Sequence, residues 1–509
     1  HLQIKPGEDA SVFAGLIHII LQENLHDQAF CEQWSDGLDS LRTAVQAFTP
    51  GFVARRAEIP EEKLLEAARL FASGPRGCAS GGLGTEMSRN AELNHYLILA
   101  LNVVCGRFNR QGERVANLGV MSPPGPLYEG TLPKAQLHPI MSFGTGEQPR
   151  VRGLKSICGE MPCNGMADEI LTPGDGQVRA LICVGGNPVL AFPDTNKTIE
   201  AMKDLDLLVS VDPFLSATAS LADYIIAPKM PLERDDVTIF GDSNYEQPYA
   251  HYAPTVVDAP SRELVEEWTF ILNLAAEMGV DMSVNNEQVS ARSIHSKYQL
   301  LEIITRGSRV PLSRLKDAEG GQVFHDEEAS IVQPPIEGLS GRFNLCSDEL
   351  YEELASLETP SAGPNPNYPL LLIGRRLREV VNSVGQDFPL VQKRYKSNPV
   401  FIHPEGLENL GLADKGLVKI SSAYGEIKAE IFADKSTKPG VIAMSHSWGR
   451  LNDSGNKIEG ANINQLTNNA VNFSKNTGMP IMSGIEVRIV KLSEGETLPA
   501  LISSTVNPS

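Results

Sequence analysis

Residues 178–228 constrain the fold more than any other stretch of this chain. An apolar run at 180–184 stops at Gly185-Gly186-Asn187-Pro188. Helical spacing follows at 195–203, and a second apolar run at 207–211 ends in Asp212-Pro213. A short helical stretch at 217–221 then leads to a third run at 224–227. Strands joined through helical crossovers pair in parallel, because each crossover returns the chain to the same end of the sheet. The expected fold class is therefore α/β, a doubly wound, Rossmann-like sheet, closed by a long helix at 262–278.

In such folds ligands sit beyond the carboxyl ends of the strands, where glycine lets backbone N–H groups approach a phosphate. Gly185, Gly186 and Asn187 occupy one such end. Asp212 occupies the next, 26 positions after Gly186, where a carboxylate meets the ribose or base of a nucleotide. The motif is not G-x-G-x-x-G, so nicotinamide binding is not supported. Taken alone, the glycine pair reads equally well as a tight turn.

A chain of 509 residues is too long for one core, and the sequence divides accordingly. Residues 1–176 read as an α/β domain, with helices at 9–23, 60–72 and 91–104 and, over 78–84, a short strand running into a glycine turn. Pro6-Gly7 turns into the first helix and Asp9 is placed to cap it. Residues 122–176, rich in proline and glycine, read as long ordered loops. Residues 177–358 form the second, dinucleotide-binding α/β domain. Four prolines and glycines within 359–367 mark a linker. From 368 to 509 the reading is β, with short strands at 370–373, 400–402, 417–421, 426–431, 440–444 and 485–490, closely spaced as in a barrel.

Two further groups could carry chemistry. Arg375 and Arg376 follow the first strand of the barrel, and the planar guanidinium fork suits phosphate and pterin heteroatoms, although paired arginines also form solvated surfaces. In the loop 445–450, Trp448 could face a flat heterocycle or simply pack, and in 461–467 Asn464 could hydrogen-bond one. No nucleophile–base arrangement stands out, nor a Walker loop or H-E-x-x-H. Seven scattered cysteines complete no metal site, and His95, His251 and His403 fall in no catalytic grouping. With 63 acidic against 44 basic side chains, the formal charge of -19 argues against nucleic acid and anionic lipid as partners. No apolar run is long enough to insert in a membrane.

In order along the chain, these pieces resemble the dimethyl-sulfoxide-reductase family of molybdopterin oxidoreductases, which includes formate dehydrogenases and nitrate reductases. The opening Lys5-Pro6-Gly7-Glu8-Asp9 is similar to the family's Pro-Gly-Thr-Asp turn, with Glu8 replacing threonine. Residues 180–188 resemble its Gly-Gly-Asn-Pro strand and turn. Residues 209–228 resemble the segment whose Asp, Thr and Ala-Asp positions fall at Asp212, Thr218 and Ala222-Asp223. Residues 398–425, 464–467 and 477–480 resemble parts of its molybdopterin-dinucleotide-binding barrel, of double-psi type. The resemblance covers nearly the whole chain.

It implies two molybdopterin guanine dinucleotides holding molybdenum or tungsten, gripped by Pro6, Gly7, Asp9, Gly185, Gly186, Asn187, Asp212, Thr218, Asp223, Arg375, Arg376, Trp448 and Asn464. It also implies a small-molecule substrate, with formate first and nitrate or another oxyanion next, and an iron–sulfur electron-transfer domain or subunit as partner. Residues 82–85 and 107–110 are expected to line the substrate funnel. The 4Fe–4S cluster motif and the metal-ligating side chain are expected upstream of His1, so no catalytic residue is assigned within the chain. The alternative is a non-catalytic carrier of the pterin cofactor. The expected compartment is the cytoplasm, with the periplasm as the alternative. The stretch 242–252 departs from the family's Gly-Arg-x-Gln pattern.

Overall fold

The computed structural model describes residues 1–108, 117, 119–121, 148–156, 160–239, 241–318, 320–324, 342–359, 363–395, 397–474, 477–493, 495, 496 and 498. The part of the loop-rich expectation that falls on 122–147, and Cys158, lie outside the described residues. So does Arg110.

The amino-terminal region is built from helices. α1 (Asp9–Gln22) buries Ile17, Ile19, Ile20 and Leu21 and packs against α2 (Pro50–Ala57), α3 (Glu61–Ser73) and α4 (Ala91–Val104). Gly7 takes a positive φ of 88°, which places Glu8 at the N-cap and Asp9 one position inside the helix, not at the cap as expected. The Glu8 carboxylate instead accepts from Arg56 Nε at 2.5 Å and from Ser11 Oγ at 2.9 Å, fastening α1 to α2.

The short strand expected to lead into the glycine turn within 78–84 does not form. Ala79 finds its partner in a side chain: Asn102 Oδ1 accepts from its N–H at 2.7 Å and Asn102 Nδ2 donates to its C=O at 2.8 Å. The amide of a helical asparagine thus takes the place of a neighbouring strand, and the chain turns straight into a short helix at Leu83–Glu86. Backbone polar groups need partners, but the partners need not be a ladder. Residues 163–171, expected as loop, are helical and include α5 (Met166–Leu171).

The central sheet agrees closely with the sequence. β1 (Ala180–Val184), α6 (Thr195–Asp204), β2 (Leu207–Val211) and β3 (Tyr224–Ile226) follow in order, and both strand pairs are parallel. Ile199 and Met202 of α6 pack with Leu208, covering one face. The second crossover contains a single 3-10 turn at Ala219–Leu221, because three residues cannot complete an α-helical turn pair. The long helix α7 (Glu267–Met278) starts five residues later than expected.

The last domain is a closed six-stranded barrel of β4 (Leu370–Gly374), β5 (Pro399–Ile402), β6 (Leu417–Ser421), β7 (Glu426–Ala433), β8 (Val441–Met444) and β9 (Ile485–Lys491). Its order is β4-β8-β5-β7-β6-β9. The β4–β8 and β5–β7 pairs run parallel, which excludes a simple up-and-down meander. Leu372, Val400, Ile420, Ile431, Ile442 and Val487 fill its interior. Among the described residues no helix is long and apolar enough to cross a membrane.

Candidate cofactor site

The glycine turn lies at the carboxyl end of β1. Gly185 has φ of 62° and donates its N–H to Val211 at 2.8 Å, and a Cβ on it would meet nothing within 4 Å. The left-handed backbone favours glycine, and the space above it is open. Asn187 Oδ1 accepts from Thr218 N–H at 3.2 Å and from Thr218 Oγ1 at 2.9 Å. Thr218 Oγ1 in turn accepts from Val189 N–H at 3.1 Å. These bonds hold the glycine turn against the loop leaving β2. Asp212 stands at the end of β2, its Oδ1 accepting from Phe214 N–H at 2.9 Å in a local turn that aims the carboxylate.

Asp223 is a correction. Its Oδ2 accepts from Leu208 N–H at 2.8 Å, near the amino end of β2. The carboxylate ties β3 to β2 at the opposite end of the sheet from Gly185, so it belongs to the sheet and not to the ligand end.

The barrel meets this turn through an asparagine-rich loop. Asn464 Nδ2 donates to Leu190 C=O at 2.7 Å and Asn462 Nδ2 donates to the same oxygen at 3.2 Å. Thr467 Oγ1 accepts from Asp194 N–H at 3.2 Å. Asn464 is fully buried, and its Oδ1 has no protein partner. Asn462 and Thr467 were not singled out as site residues. The signal that could have found them is the density of asparagines between 462 and 469 in a domain that is otherwise β.

Arg375 and Arg376 diverge. Arg375 pairs with Asp434 and lies 4.0 Å over the Phe401 ring, so its guanidinium is engaged within the barrel. Arg376 is exposed and donates to Asn382 Oδ1 at 2.5 Å, an oxygen shared with His446 Nε2 at 2.9 Å. His446 Nδ1 lies 2.8 Å from Ser447 Oγ. Burial, and then the positive Arg376, push the His446 pKa below its usual value, so the ring stays neutral.

Burial would raise the Asp434 carboxyl, but hydrogen bonds from Ser436 and the Arg375 guanidinium outweigh it and hold the pKa at about 2. A folded pKa below the unfolded value stabilises the protein above the usual carboxylate range, and that contribution is lost as pH falls toward about 2. Asp434→Asn should therefore flatten the loss of thermal stability between roughly pH 4 and pH 2. A melting series against pH checks it, and an unchanged slope in that window would count against the pairing.

Trp448 is a second correction. It is 1% exposed and packs with Leu377, Val380, Tyr395 and Phe401, so its ring is covered by protein and faces no heterocycle. What remains is the indole N–H, buried without a partner. The funnel expectation for Arg107 also changes: it donates to the C=O of Gly74 and Phe71 and stacks on Phe71 at 5.2 Å, closing the carboxyl end of α3. Of the other funnel residues, Gly82 and Gly84 are exposed and face open space.

Pro6 and Gly7 line a third place, a cavity of about 200 Å³ against the barrel, with Tyr368, Lys438, Gly484 and Glu486 among its walls. Asp9 is partly buried, and burial raises its pKa, opposed by its own backbone N–H and helped by Glu8. The structure thus bonds Asn187 to Thr218 and the Asn464 loop to Leu190 just after the glycine turn, with Asp212 at the end of the neighbouring strand. Pro6 and Gly7 line their own cavity, and Arg376 stands on the barrel rim.

The residues present fit a heterocyclic dinucleotide. The buried Oδ1 atoms of Asn398 and Asn464 lack protein partners, and an unpaired buried polar group costs about 1–3 kcal/mol. Such atoms are the acceptors that a pterin or guanine edge satisfies. Among the described residues no cluster of three or more potential metal-ligating side chains occurs.

The molybdopterin oxidoreductase family profile matches residues 1–275, and the molydopterin dinucleotide binding domain profile matches 370–483. The chain is 24% identical over 459 residues to formate dehydrogenase 1 subunit alpha of Methanococcus maripaludis, covering 87% of this chain and 64% of that protein. It is 24% identical over 474 residues to the thiosulfate reductase molybdopterin-containing subunit of Salmonella typhimurium, covering 88% and 62%. The fold resembles that of acetylene hydratase from Pelobacter acetylenicus, with a TM-score of 0.72 at 19% identity, over 96% of this chain and 71% of that one. The chain spans a little under two thirds of the length of these two curated relatives. It belongs to the molybdopterin oxidoreductase family, and its terminal barrel is that family's dinucleotide-binding domain.

Proposed function

We propose that this chain holds two molybdopterin guanine dinucleotides, with molybdenum or tungsten, for the oxidation of formate, and passes the electrons to an iron–sulfur partner. The observation that carries the cofactor reading is the open glycine turn at the end of β1 beside Asp212 at the end of β2. Gly185 offers backbone without a side chain in the way. Asp212 presents a half-buried carboxylate with one oxygen outside its local turn, suited to the N–H groups of a guanine or the hydroxyls of a ribose. Formate is favoured as substrate because formate dehydrogenase subunits recur among the relatives, at 24% and 26% identity.

When bound, the metal centre supplies the two-electron exchange with substrate. The chain's residues bind and orient. Asn187 and Thr218 fix the glycine turn, Asn462 and Asn464 clamp the barrel onto the segment that follows it, and Arg376 offers a charge to an anionic group.

Asp212→Ala should lower retained guanine dinucleotide about tenfold or more, since a hydrogen bond to a charged group is worth roughly 1.5–3 kcal/mol. The sheet should persist, because only the turn at Phe214 loses a bond. Pterin-nucleotide release from the purified variant reads the effect, and unchanged dinucleotide content would remove Asp212 from the site. Formate-dependent dye reduction by the complete enzyme tests the substrate. Full dinucleotide content with turnover of nitrate and none of formate would replace that part of the reading.

A further inference from the structure

On the barrel rim, His446 lies in the loop after β8, and that loop is pinned at both ends. Asn398 Nδ2 donates to Ser445 C=O at 2.5 Å. Gly449 N–H donates to Gln386 Oε1 at 2.8 Å, and Gln386 Nε2 donates back to Gly449 C=O at 3.1 Å. Between these anchors Ser447 is fully buried and takes a φ of 57°. Across from it, Asn382 takes a φ of 53° in the tight turn closed by Val381 and Val384, whose N–H groups each donate to the other's C=O at 2.9 Å. Left-handed backbone is unfavourable for residues with a Cβ, so both conformations are imposed by their surroundings. The two residues meet at the His446 ring, Ser447 Oγ on Nδ1 and Asn382 Oδ1 on Nε2.

The order of donors along this chain is fixed by chemistry. Arginine carries only donors, so the Asn382 atom that Arg376 Nη1 reaches at 2.5 Å is the amide oxygen. An oxygen cannot donate, so His446 Nε2 carries the hydrogen of its 2.9 Å bond to the same atom. In a neutral ring Nδ1 is then bare, and it accepts from the Ser447 hydroxyl at 2.8 Å. Both ring nitrogens are thereby engaged, and His446 keeps no atom with which to touch a ligand.

Arg376 is in the opposite position. Its guanidinium is exposed, and no carboxylate pairs with it among the described residues. Other charges on these segments are matched, Arg375 with Asp434, Glu379 with Arg394 and Asp387 with Arg450. Arg378 is exposed, and Arg376 is the charge that acts on the His446 ring. A guanidinium held by a neutral amide keeps its full charge and the rest of its planar fork for an oxyanion.

We propose that His446 is a positioning residue: as the neutral Nε2–H imidazole between Ser447 and Asn382, it locks the amide oxygen that aims Arg376 at an anionic group of the bound dinucleotide. The anion rests on the dinucleotide reading above, but the aiming does not. A proton added to the ring would set two cations on one amide oxygen, and they would repel. Burial and Arg376 both oppose that proton. The aim therefore holds at and above the ordinary histidine range and weakens as pH falls below it.

The test compares the complete enzyme with His446→Gln, His446→Phe, Arg376→Ala and the double variant of the last two. Glutamine keeps a neutral N–H donor and takes up no proton, whereas phenylalanine keeps a ring without nitrogens. Retained guanine dinucleotide should fall about tenfold in Arg376→Ala and in His446→Phe, and no further in the double variant. In His446→Gln it should stay within about twofold of the parent, and its decline between roughly pH 7 and pH 5 should be shallower than the parent's. Nitrogen NMR of histidine-labelled enzyme reads the ring directly. One of the ten histidine signals, missing from His446→Gln, should report the Nε2–H tautomer and titrate at higher pH once Arg376 is removed. Additive losses in the double variant, glutamine as harmful as phenylalanine, or an Nδ1–H ring would each overturn the proposal. So would full dinucleotide retention in Arg376→Ala. The expected NMR result in an enzyme that carries no guanine dinucleotide would instead fault the cofactor reading alone.

Discussion

Replacing Asp168 with alanine lowers the stability of the chain by roughly 3 kcal/mol, the lower end of what removal of one partner from a buried ion pair costs. Asp168 on α5 accepts from Arg152 Nη1 at 3.0 Å, from Lys197 Nζ at 2.5 Å and from Asn469 Nδ2 at 3.0 Å. The three partners come from the segment before α5, from helix α6 and from the barrel's closing loop. The Asp168 side chain is 14% exposed and that of Arg152 16%, so solvent screens the pair poorly. Without the carboxylate, two cations remain facing each other across a space that water enters only partly. Arg152 keeps the carbonyls of Asn164 and Asn469, and Lys197 keeps Asn469 Oδ1, which is why the lower figure applies.

Asp206→Ala is the contrast. It removes an ion pair with Arg179 whose side chains are mostly exposed, and such pairs are worth about 0–1 kcal/mol. Urea unfolding of the two variants should separate them clearly. If Asp168→Ala unfolds within about 1 kcal/mol of the parent chain, the cluster is a surface feature after all. Asp168→Ala should also weaken dinucleotide retention, because Asn469 sits five residues beyond Asn464 on the loop that clamps Leu190.

Gly425→Ala is expected to destabilise the barrel by about 3 kcal/mol, the upper part of the range for overpacking. A Cβ at Gly425 would stand 2.1 Å from the backbone oxygen of Gln465. Strain does not demand glycine here, since its φ lies outside the left-handed region. Contact does. The turn between β6 and β7 presses directly on the closing loop, and Ser422 fastens the same contact by donating to Leu466 C=O at 2.8 Å. The obstacle is a carbonyl, so no rotamer can relieve the overlap, and the loop carrying Asn462 and Asn464 must move away from Leu190. Gly363→Ala serves as control, since a Cβ there meets nothing within 4 Å. Thermal unfolding and dinucleotide content should fall together in Gly425→Ala and not in the control. A variant that melts with the parent would mean the turn and the loop are free to part.

These two sites show how legibility divided. The strands at 180–184, 207–211 and 417–421 have the bounds their apolar runs imply, but 180–184, expected to be buried, leaves only Cys183 buried among the described residues. Helix 91–104 is read correctly from an apolar spacing that repeats over four turns. The short strand expected within 78–84 failed where a single distant side chain, Asn102, offered the backbone a different partner. Trp448 and Asp223 sit in motifs that resemble a ligand site, but packing placed the first in the core and pairing placed the second at the wrong end of the sheet.

The sequence by itself determined the class of fold, the order of its elements and the family. Each of these is written in patterns a few residues long or in motifs kept in order. Only the tertiary structure decided which groups meet. Asn464 and Leu190 lie 274 positions apart, and Asn469 and Asp168 lie 301 apart. A hydrogen bond across such a separation depends on how two domains dock, and docking is settled by shape and burial summed over many residues. No local pattern carries that sum, so the clamp over the glycine turn became visible only in the folded chain.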